Sequence, residues 1–350
     1  MTKPKLIYQV AHKRTQKNKI KDIVGEAYQG SCEEVLKDKK FQKKYKGKID
    51  LIFFSPPFAL NNKKSYGNTE GEKYIKWLSS YGTLFASYLS PKGSIVIELG
   101  NSWEAKKPYQ STVPMEALLE FKKNSNLKLC EEFIYYNSGK LPGPAEYVTK
   151  QRSRVTDAFS RIWWLAKEGK GILPNDYADN KKVLKPYSKR MEQLLAKQDY
   201  NSGKRPSGHS IGTKSFLKRN KGSIPRNVLD LNDKVKLTIN KSLSDKVFTM
   251  GNNSSNGEYE RLCIENNIKI HDARMPVRLA EFFISFCTNK YKPNAKSNSC
   301  MVMDPFGGSA TTGQAAQFCD RKWVTIEQNE DYAKSSEFRF YHNQQLIIKK

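Results

Sequence analysis

The amino-acid sequence predicts an α/β fold in which helices cover the faces of a sheet. Short apolar runs at residues 51–54 and 300–303 have the length of buried strands. Apolar residues at helical spacing follow in residues 74–89. A glycine-rich turn joins strand and helix at residues 304–313, as is typical of a Rossmann-like sheet. Strands that alternate with helices along the chain indicate this fold class.

Composition favours a nucleic-acid partner and a reducing compartment. The 350 residues suit one large or two modest domains, and 61 Lys+Arg against 35 Asp+Glu give a net charge of +26. Such a charge favours a polyanion, although a lysine-rich background composition is the alternative. The six cysteines form no C-x-x-C pair, and the four histidines are dispersed, so we predict reduced thiols, a cytoplasmic location and no metal site. No transmembrane-length apolar run or signal peptide is present, so no membrane association is expected.

The N-terminal part combines a capped helix with the first clear strand. Residues 22–27 are interpreted as a short strand and turn. Ser31 followed by Glu34 is a capping box, which predicts the start of a helix at Ser31. The apolar run at residues 49–54 predicts a strand that ends where Ser55 and two prolines follow.

The next segments continue the alternation of helices and strands. The polar residues 61–69 predict an exposed loop, and residues 91–93 (Pro-Lys-Gly) predict a turn. The remaining predicted elements are helices at 74–89 and 115–121 and strands at 94–100, 127–136 and 161–165.

The middle of the chain is predicted to be a basic insertion. Residues 181–226 contain 13 Lys/Arg against 2 Asp/Glu and are interrupted by glycine and proline, with little periodicity. We therefore divide the chain into residues 1–168, a basic lobe at 169–265, and residues 266–350. The alternative interpretation is a solvated, partly disordered insertion.

The C-terminal part predicts a nucleoside-cofactor unit. After a helix at 276–286, a strand at 300–303 runs into the turn, a helix at 312–318 follows, and a strand at 322–326 ends on Glu327. Gly307 and Gly308 would let the backbone approach a ligand, and Glu327 is positioned to accept hydrogen bonds from ribose. The Asp304 carboxylate would suit a cationic group of the bound ligand. The turn is not G-x-G-x-x-G, so S-adenosylmethionine, which has an amino-acid end and a ribose, fits better than NAD; an ordinary βαβ crossover is the alternative.

The Ser55-Pro56-Pro57-Phe58 loop could hold a flat molecule that bears an amine. The Ser55 hydroxyl and the Pro56 carbonyl are acceptors for amine N–H groups, which would free the nitrogen lone pair of a cytosine or adenine amine. Phe58 could stack on the base, which must first be flipped out of a duplex. Glu98, at the end of a predicted strand, is the candidate acceptor for the amine proton or for ring contacts. The alternatives are a proline turn at the strand end and a structural carboxylate at Glu98.

With these residues the chain resembles the β-class bacterial DNA methyltransferases of the N4-cytosine type, found in restriction–modification systems. The resemblance rests on the motifs at residues 55–58 and 304–309 and on their order, with the catalytic motif first and a target-recognition region between them. Further similar segments, which extend the resemblance over most of residues 20–340, are residues 141–146, Trp163-Trp164, 185–188 and 271–286.

The resemblance implies a class I methyltransferase fold, a seven-stranded mixed sheet with helices on both faces. It implies S-adenosylmethionine as cofactor, and the residues expected around it are Asp304, Phe306, Gly307, Gly308, Ser309, Thr311, Glu327 and Pro276. Ser31 stands where the family often has an acid near the cofactor adenine. Ser55, Pro56, Pro57 and Phe58 form the motif expected to hold a flipped cytosine.

The implied activity is methylation of cytosine N4 in double-stranded DNA, read mainly by residues 170–265. Within the family, a serine at position 55 favours cytosine over adenine as the substrate base. A serine could also accept a hydrogen bond from an adenine amine. Alternatives are adenine N6 methylation, an RNA methyltransferase, and a DNA-binding protein with an inactive methyltransferase fold. A cognate restriction endonuclease and a monomeric or homodimeric state are further expectations.

Overall fold

The computed structural model describes residues 4–12, 23–59, 70–168, 178–198, 200–213, 217–230, 257–290, 300–341 and 345–349. The predicted loop at 61–69 lies outside these residues. The strands are β1 (Lys5–His12), β2 (Ile23–Gln29), β3 (Ile49–Phe54), β4 (Leu89–Gly100), β5 (Ser102–Trp103), β6 (Gln110–Ser111), β7 (Lys128–Tyr136), β8 (Phe159–Ala166), β9 (Gly203–Lys204), β10 (Ser210–Ile211), β11 (Val228–Asp230), β12 (Met301–Asp304), β13 (Lys322–Glu327) and β14 (Gln345–Lys349). The α-helices are α1 (Cys32–Lys37), α2 (Lys39–Tyr45), α3 (Gly71–Tyr88), α4 (Val113–Ser125), α5 (Lys189–Lys197), α6 (Glu258–Glu265), α7 (Val277–Cys287), α8 (Thr311–Phe318) and α9 (Glu330–Ser335).

The main sheet has ten strands in the order β11-β7-β8-β4-β3-β12-β13-β2-β1-β14. Its central part, from β7 to β2, is the expected seven-stranded mixed sheet. Within it β8 runs antiparallel to both neighbours, and the pairs from β4 to β2 are parallel. Three further strands, β11, β1 and β14, extend the edges. The sequence did not indicate β1 as a strand, because this run lies in a strongly basic N-terminal stretch and pairs with the distant β14.

The strand β3 lies at the centre of the sheet and is buried along its whole length. Its side chains alternate between the two faces, as the pleat requires. Phe54 packs in one core against Phe85 of α3 and Phe121 of α4. Phe53 faces the opposite core and contacts Phe283 of α7. Helices therefore cover both faces, as predicted.

The Asp50 carboxylate ties β3 to both neighbouring strands. Its Oδ1 accepts from the Ser90 hydroxyl at 2.8 Å, and its Oδ2 accepts from the Met301 backbone N–H at 2.9 Å. Burial raises the pKa of Asp50 to about 6, while these two donors oppose the shift. A polar residue near the start of an apolar strand is thus satisfied by the two strands that flank it.

The predicted turn at residues 91–93 is wrong, since β4 is continuous from Leu89 to Gly100. The pairing with β3 shifts register there, from Ile49 opposite Leu89 to Leu51 opposite Ser94. The additional residues of β4 form a bulge that accommodates the proline. Gly93 is required at this point because a Cβ would lie 2.6 Å from the Ile49 carbonyl oxygen.

The other predicted strands and helices of the sheet domain are confirmed, with boundaries shifted by a few residues. The helix after Ser31 begins as predicted, because the Ser31 hydroxyl accepts a hydrogen bond from the Glu34 N–H at 3.2 Å. The helix predicted at 74–89 is α3, and the one predicted at 115–121 extends over α4. The helix predicted at 276–286 is α7.

The described parts of residues 169–265 contain more regular structure than the sequence indicated. Helix α5 begins at the Ser188 cap, whose hydroxyl accepts from the Met191 N–H at 3.2 Å. Strand β11 joins the main sheet parallel to β7, and α6 contacts the C-terminal part through Tyr259 Oη and Ser335 Oγ at 3.0 Å. The proposed domain boundaries stay a prediction. None of the helices in the described ranges has the length and apolarity needed to cross a membrane.

Candidate active site

A cavity of about 570 Å³ lies where β3, β4, β12 and β13 end. The carboxyl ends of parallel strands meet at one edge of a sheet, which is where α/β proteins bind ligands. Every site residue predicted from the sequence lines this cavity: Ser31, Ser55, Pro56, Pro57, Phe58, Glu98, Pro276, Asp304, Phe306, Gly307, Gly308, Ser309, Thr311 and Glu327. Two motifs about 250 residues apart in the chain thus line one cavity.

The loop after β3 is held against the end of β4. Pro56 is buried, and Ser55, Pro57 and Phe58 are half-buried. The Phe58 ring lies where a Cβ on Gly100 would be, since that atom would be 2.6 Å from the ring. Because glycine has no side chain, position 100 leaves room for the Phe58 ring at the cavity wall.

The Glu98 carboxyl is buried behind this loop and receives hydroxyl hydrogen bonds. Ser55 and Ser160 both hydrogen-bond to it. Burial raises the pKa of Glu98 to about 6, whereas the two hydroxyls and the positive charge of Lys140 act in the opposite direction. Glu98 can therefore change protonation state near neutral pH.

A polar wall beside Glu98 comes from the end of β4, the connection between β7 and β8, and the start of β8. The Lys140 ammonium donates to Asp157 Oδ2 at 2.6 Å and to the Phe159 carbonyl at 3.1 Å. Asn101 Nδ2 donates to the other oxygen of Asp157 at 2.9 Å. Asn101, Lys140, Asn137 and Ser160 all line the cavity. Sequence reasoning missed these four residues, because none belongs to a short motif and the sheet alone brings them to Glu98.

The glycine-rich turn after β12 lies close to its neighbours on two sides. A Cβ on Gly307 would be 1.8 Å from Thr325 Oγ1, and one on Gly308 would be 2.8 Å from His271 Nε2. Gly308 also has a φ of +51°, which favours glycine. Both positions need glycine for the turn to pack against β13 and still border the cavity.

Two carboxyl groups flank this turn, one buried (Asp304) and one half-buried (Glu327). Asp304 accepts from the Thr312 hydroxyl at 2.6 Å and from the Phe306 N–H at 3.0 Å. Glu327 accepts from the Gly308 N–H and the Asn329 N–H, each at 2.7 Å. Burial, with a smaller contribution from the Glu327 charge, raises the pKa of Asp304 to about 7. Burial also raises the pKa of Glu327, against the hydrogen bonds it receives.

Three carboxyl groups thus share one cavity, the buried Glu98 and Asp304 and the half-buried Glu327. Each has a raised pKa, because burial disfavours the ionised form. A ligand that carries positive charge would favour ionisation of these groups on binding. The cavity is therefore better suited to a cationic ligand than to a phosphate-rich one.

The side chains of Phe306 and Ser309 have structural partners. The Phe306 ring packs among aromatic rings of the core, including Trp77 at 5.6 Å and Tyr81 at 5.7 Å between centroids. The guanidinium of Arg339 donates to the Ser309 hydroxyl at 2.7 Å and to its carbonyl at 2.6 Å. These contacts hold the turn in place, and the two residues border the cavity from this fixed position.

Arg274 is a cavity residue that the sequence did not single out. One of its amino groups, Nη2, donates to Glu260 at 2.5 Å, and the guanidinium lies 5.7 Å from the Tyr259 ring centroid. The other, Nη1, is buried without a hydrogen-bond partner among the described residues. The neighbouring residue Pro276, predicted near the cofactor, begins α7 as its N-cap.

Comparisons with known proteins cover most of the chain. The family model described as DNA methylase, of the N6/N4 methyltransferase type, matches residues 49–338. The chain is 38% identical over 297 residues to the type II methyltransferase M.PvuII of Proteus hauseri, covering 84% of this chain and 79% of that protein. The solved structure of PvuII DNA methyltransferase (cytosine-N4-specific) has a TM-score of 0.63 at 30% identity, over 91% of this chain and 87% of that one. The M1.HpyAVI–SAM complex has a TM-score of 0.46 at 16% identity, over 90% and 100% of the two chains.

Proposed function

This chain belongs to the DNA methylase family, and from that premise we propose that it transfers the methyl group of S-adenosylmethionine to the N4 amine of a flipped cytosine in double-stranded DNA. The observation that carries the proposal is the single cavity shared by the Ser55–Phe58 loop and the glycine-rich turn. The similarity to M.PvuII and to a cytosine-N4-specific structure supports cytosine as the base.

The residues of the turn fit S-adenosylmethionine as the cofactor. The molecule has a sulfonium, an ammonium and a ribose, and the carboxyl groups of Asp304 and Glu327 suit positive charge and hydroxyl donors. Each carboxylate oxygen has two acceptor sites, so Glu327 can accept from ribose while it holds the backbone N–H groups of Gly308 and Asn329. Gly307 and Gly308 would provide close backbone contact. Bound there, the cofactor would supply an electrophilic methyl group.

The loop after β3 would orient the amine for attack. The Ser55 hydroxyl donates toward Glu98 and keeps lone pairs on its oxygen for an N–H of the base. The Pro56 carbonyl can accept the second N–H. With both N–H groups engaged, the nitrogen lone pair can point toward the methyl group. Phe58, fixed by the absence of a side chain at Gly100, would stack on the base.

Glu98 would receive the proton that the amine loses. The amine becomes cationic when it gains the methyl group and then releases a proton readily. The pKa of Glu98, about 6, leaves it largely ionised at neutral pH, and Ser55 links it to the loop that holds the amine. The position of Glu98 supports a proton path from the base through or beside the Ser55 hydroxyl.

The positive net charge supports DNA as the partner through contacts to phosphates. We propose that the basic residues of the 169–265 segment take part in reading the target sequence. We also propose a cytoplasmic location, where DNA is available, and a cognate restriction endonuclease. The enzyme would act as a monomer or homodimer.

The direct test is to express the chain in a host that lacks its own DNA methylation and to identify modified bases in the DNA by mass spectrometry and single-molecule sequencing. We expect N4-methylcytosine in one short sequence context. N6-methyladenine in its place would contradict the assignment of the base. If the protein is folded and binds S-adenosylmethionine but no base is modified, the result would indicate an inactive DNA-binding protein. Modification of RNA alone would contradict DNA as the substrate.

A further inference from the structure

The two most exposed large apolar side chains of the described residues lie in one connection beside the cavity. Val155 is 88% exposed and Leu141 is 84% exposed, and both belong to the segment that joins β7 to β8. A single exposed apolar residue is ordinary on a protein surface. Two in the same connection, next to a candidate active site, indicate a contact surface.

Hydrogen bonds fix the base of this connection to the cavity. The Asn137 N–H donates to the Ala158 carbonyl at 2.8 Å, which closes the connection. The Lys140–Asp157 ion pair, at 2.6 Å, forms a second link, and Lys140 lines the cavity. Leu141 follows Lys140 directly, and consecutive Cα atoms are about 3.8 Å apart. Leu141 is therefore joined directly to a cavity-lining residue, and its own side chain is exposed on the surface.

A second segment, residues 104–109, is attached to this connection. The Tyr147 hydroxyl donates to the Lys106 carbonyl at 2.9 Å, and Arg154 Nη2 donates to the Pro108 carbonyl at 2.7 Å. Tyr109, next to Pro108, is itself 60% exposed. We call residues 104–109 and 138–157 together the mouth rim.

The mouth rim combines apolar exposure with positive charge. It contains six Lys or Arg and three Asp or Glu. Two of the acids are already ion-paired within the rim, Asp157 with Lys140 and Glu146 with Lys150 at 2.9 Å. Positive charge attracts the phosphates of a duplex. Exposed apolar side chains can fill a disrupted base stack.

We propose that the mouth rim docks on duplex DNA and that Leu141 occupies the space in the stack left by the base that enters the cavity. The inference rests on the proposed function, because an enzyme that acts on a base must take that base out of the helix. Leucine is among the side chains used as wedges between base steps. Pro142, with its fixed φ, restrains the chain directly after Leu141.

The test compares two substrates that differ only in the need to displace the target base. Both duplexes carry the sequence that the wild-type protein methylates. In one the target cytosine is paired with guanine, and in the other it faces an abasic site. The variants are Leu141→Ala and Leu141→Met, with Leu119→Ala as the matched control, because Leu119 is also an exposed leucine, at 55%, but lies on α4 outside the mouth rim and outside residues 169–265.

We expect Leu141→Ala to lower kcat/KM on the paired duplex by roughly tenfold to a hundredfold, because the cost of unstacking is no longer offset. On the abasic duplex it should retain nearly wild-type activity, which also shows that the variant is folded. Leu141→Met should retain activity on both duplexes, and Leu119→Ala should match wild type. A target-site 2-aminopurine should show a smaller fluorescence increase with Leu141→Ala than with the control.

Two outcomes would overturn the inference. One is wild-type activity of Leu141→Ala on the paired duplex. The other is an equal loss on both duplexes, which would indicate a role in folding or in general DNA contact. Failure of the proposed function gives a distinguishable result, because the wild-type protein would then methylate cytosine in neither duplex. That result would also refute the inference.

Discussion

The Ser55 hydroxyl hydrogen-bonds to the buried carboxyl of Glu98 and so connects the loop after β3 to the end of β4. Parallel pairing of these two strands, with Phe54 opposite Ile97, brings the two residues together. The hydroxyl that would hold the amine and the carboxyl that would take its proton thus belong to one hydrogen-bonded unit.

Replacement of Ser55 by alanine should abolish most methyl transfer and leave cofactor binding intact. We expect kcat to fall by about 10²–10³, as for loss of a positioned polar group in other active sites. Calorimetry should give an unchanged Kd for S-adenosylmethionine, because the Ser55 hydroxyl hydrogen-bonds to Glu98 and is assigned to the base, whereas the glycine-rich turn is assigned to the cofactor. Ser80→Ala is the control, since the exposed Ser80 hydroxyl donates only to the Trp77 carbonyl. Methylation by Ser55→Ala at the wild-type rate would refute the role of the loop.

The rate should depend on pH through the ionisation of Glu98. Its pKa of about 6 means that the proton-accepting form increases as pH rises through 6 and is nearly complete above 7. We expect single-turnover methylation to rise over pH 5–7 and then level off. Glu98→Gln should be slower and should lose this rise. A variant that keeps both the wild-type rate and the pH profile would show that Glu98 is only structural.

Cofactor affinity should rise with pH through about 7, since cation binding favours ionised Asp304. Because the pKa of Asp304 is higher in the folded protein than its ordinary value of 3.8, protonation of Asp304 stabilises the cofactor-free protein. This stabilisation is complete below pH 3.8 and is lost as the pH rises through about 7. Asp304→Asn should bind S-adenosylmethionine roughly tenfold or more weakly, as expected for loss of a charged partner. Calorimetric Kd values and thermal unfolding at pH 5, 6, 7 and 8 would test both effects. Equal pH dependence in the variant and the wild type would contradict them.

Alanine at Gly100 should impair use of DNA without affecting the cofactor. Its Cβ would lie 2.6 Å from the Phe58 ring, so the ring must move. Overpacking of this kind costs about 1–3 kcal/mol, and we expect kcat/KM for DNA to fall tenfold or more. An unchanged calorimetric Kd for S-adenosylmethionine would show that the variant is folded. Wild-type kcat/KM for DNA in Gly100→Ala would show that the Phe58 position is not critical.

Local sequence signals were sufficient for the parts of the site that lie on single turns. Two prolines after an apolar run fix the end of β3, and Gly307 and Gly308 identify the turn after β12. Both signals arise from backbone restrictions that one or two residues impose. The alternation of strands and helices likewise predicted the central seven strands.

The remaining features depend on contacts between distant segments. Lys140 and Ser160 reach Glu98 only because β7 and β8 pair beside β4. Arg274 reaches the cavity through its ion pair with Glu260, and β1 depends on β14. Proline and glycine at residues 91–93 predict a turn, but the structure has a bulge before Ser94, because both residues occur in turns and in bulges. None of these contacts has a short sequence signature.

The position of β12 between β3 and β13 has a consequence for biosynthesis. The ribosome completes β3 about 250 residues before it makes β12. Until then the Asp50 carboxylate lacks the Met301 N–H, and the central edge of β3 has no partner strand. The nascent chain must keep this apolar edge from pairing with other chains, a known hazard of open strands. Because the cavity needs both halves of the sheet, it cannot form until β12 and β13 have been synthesised.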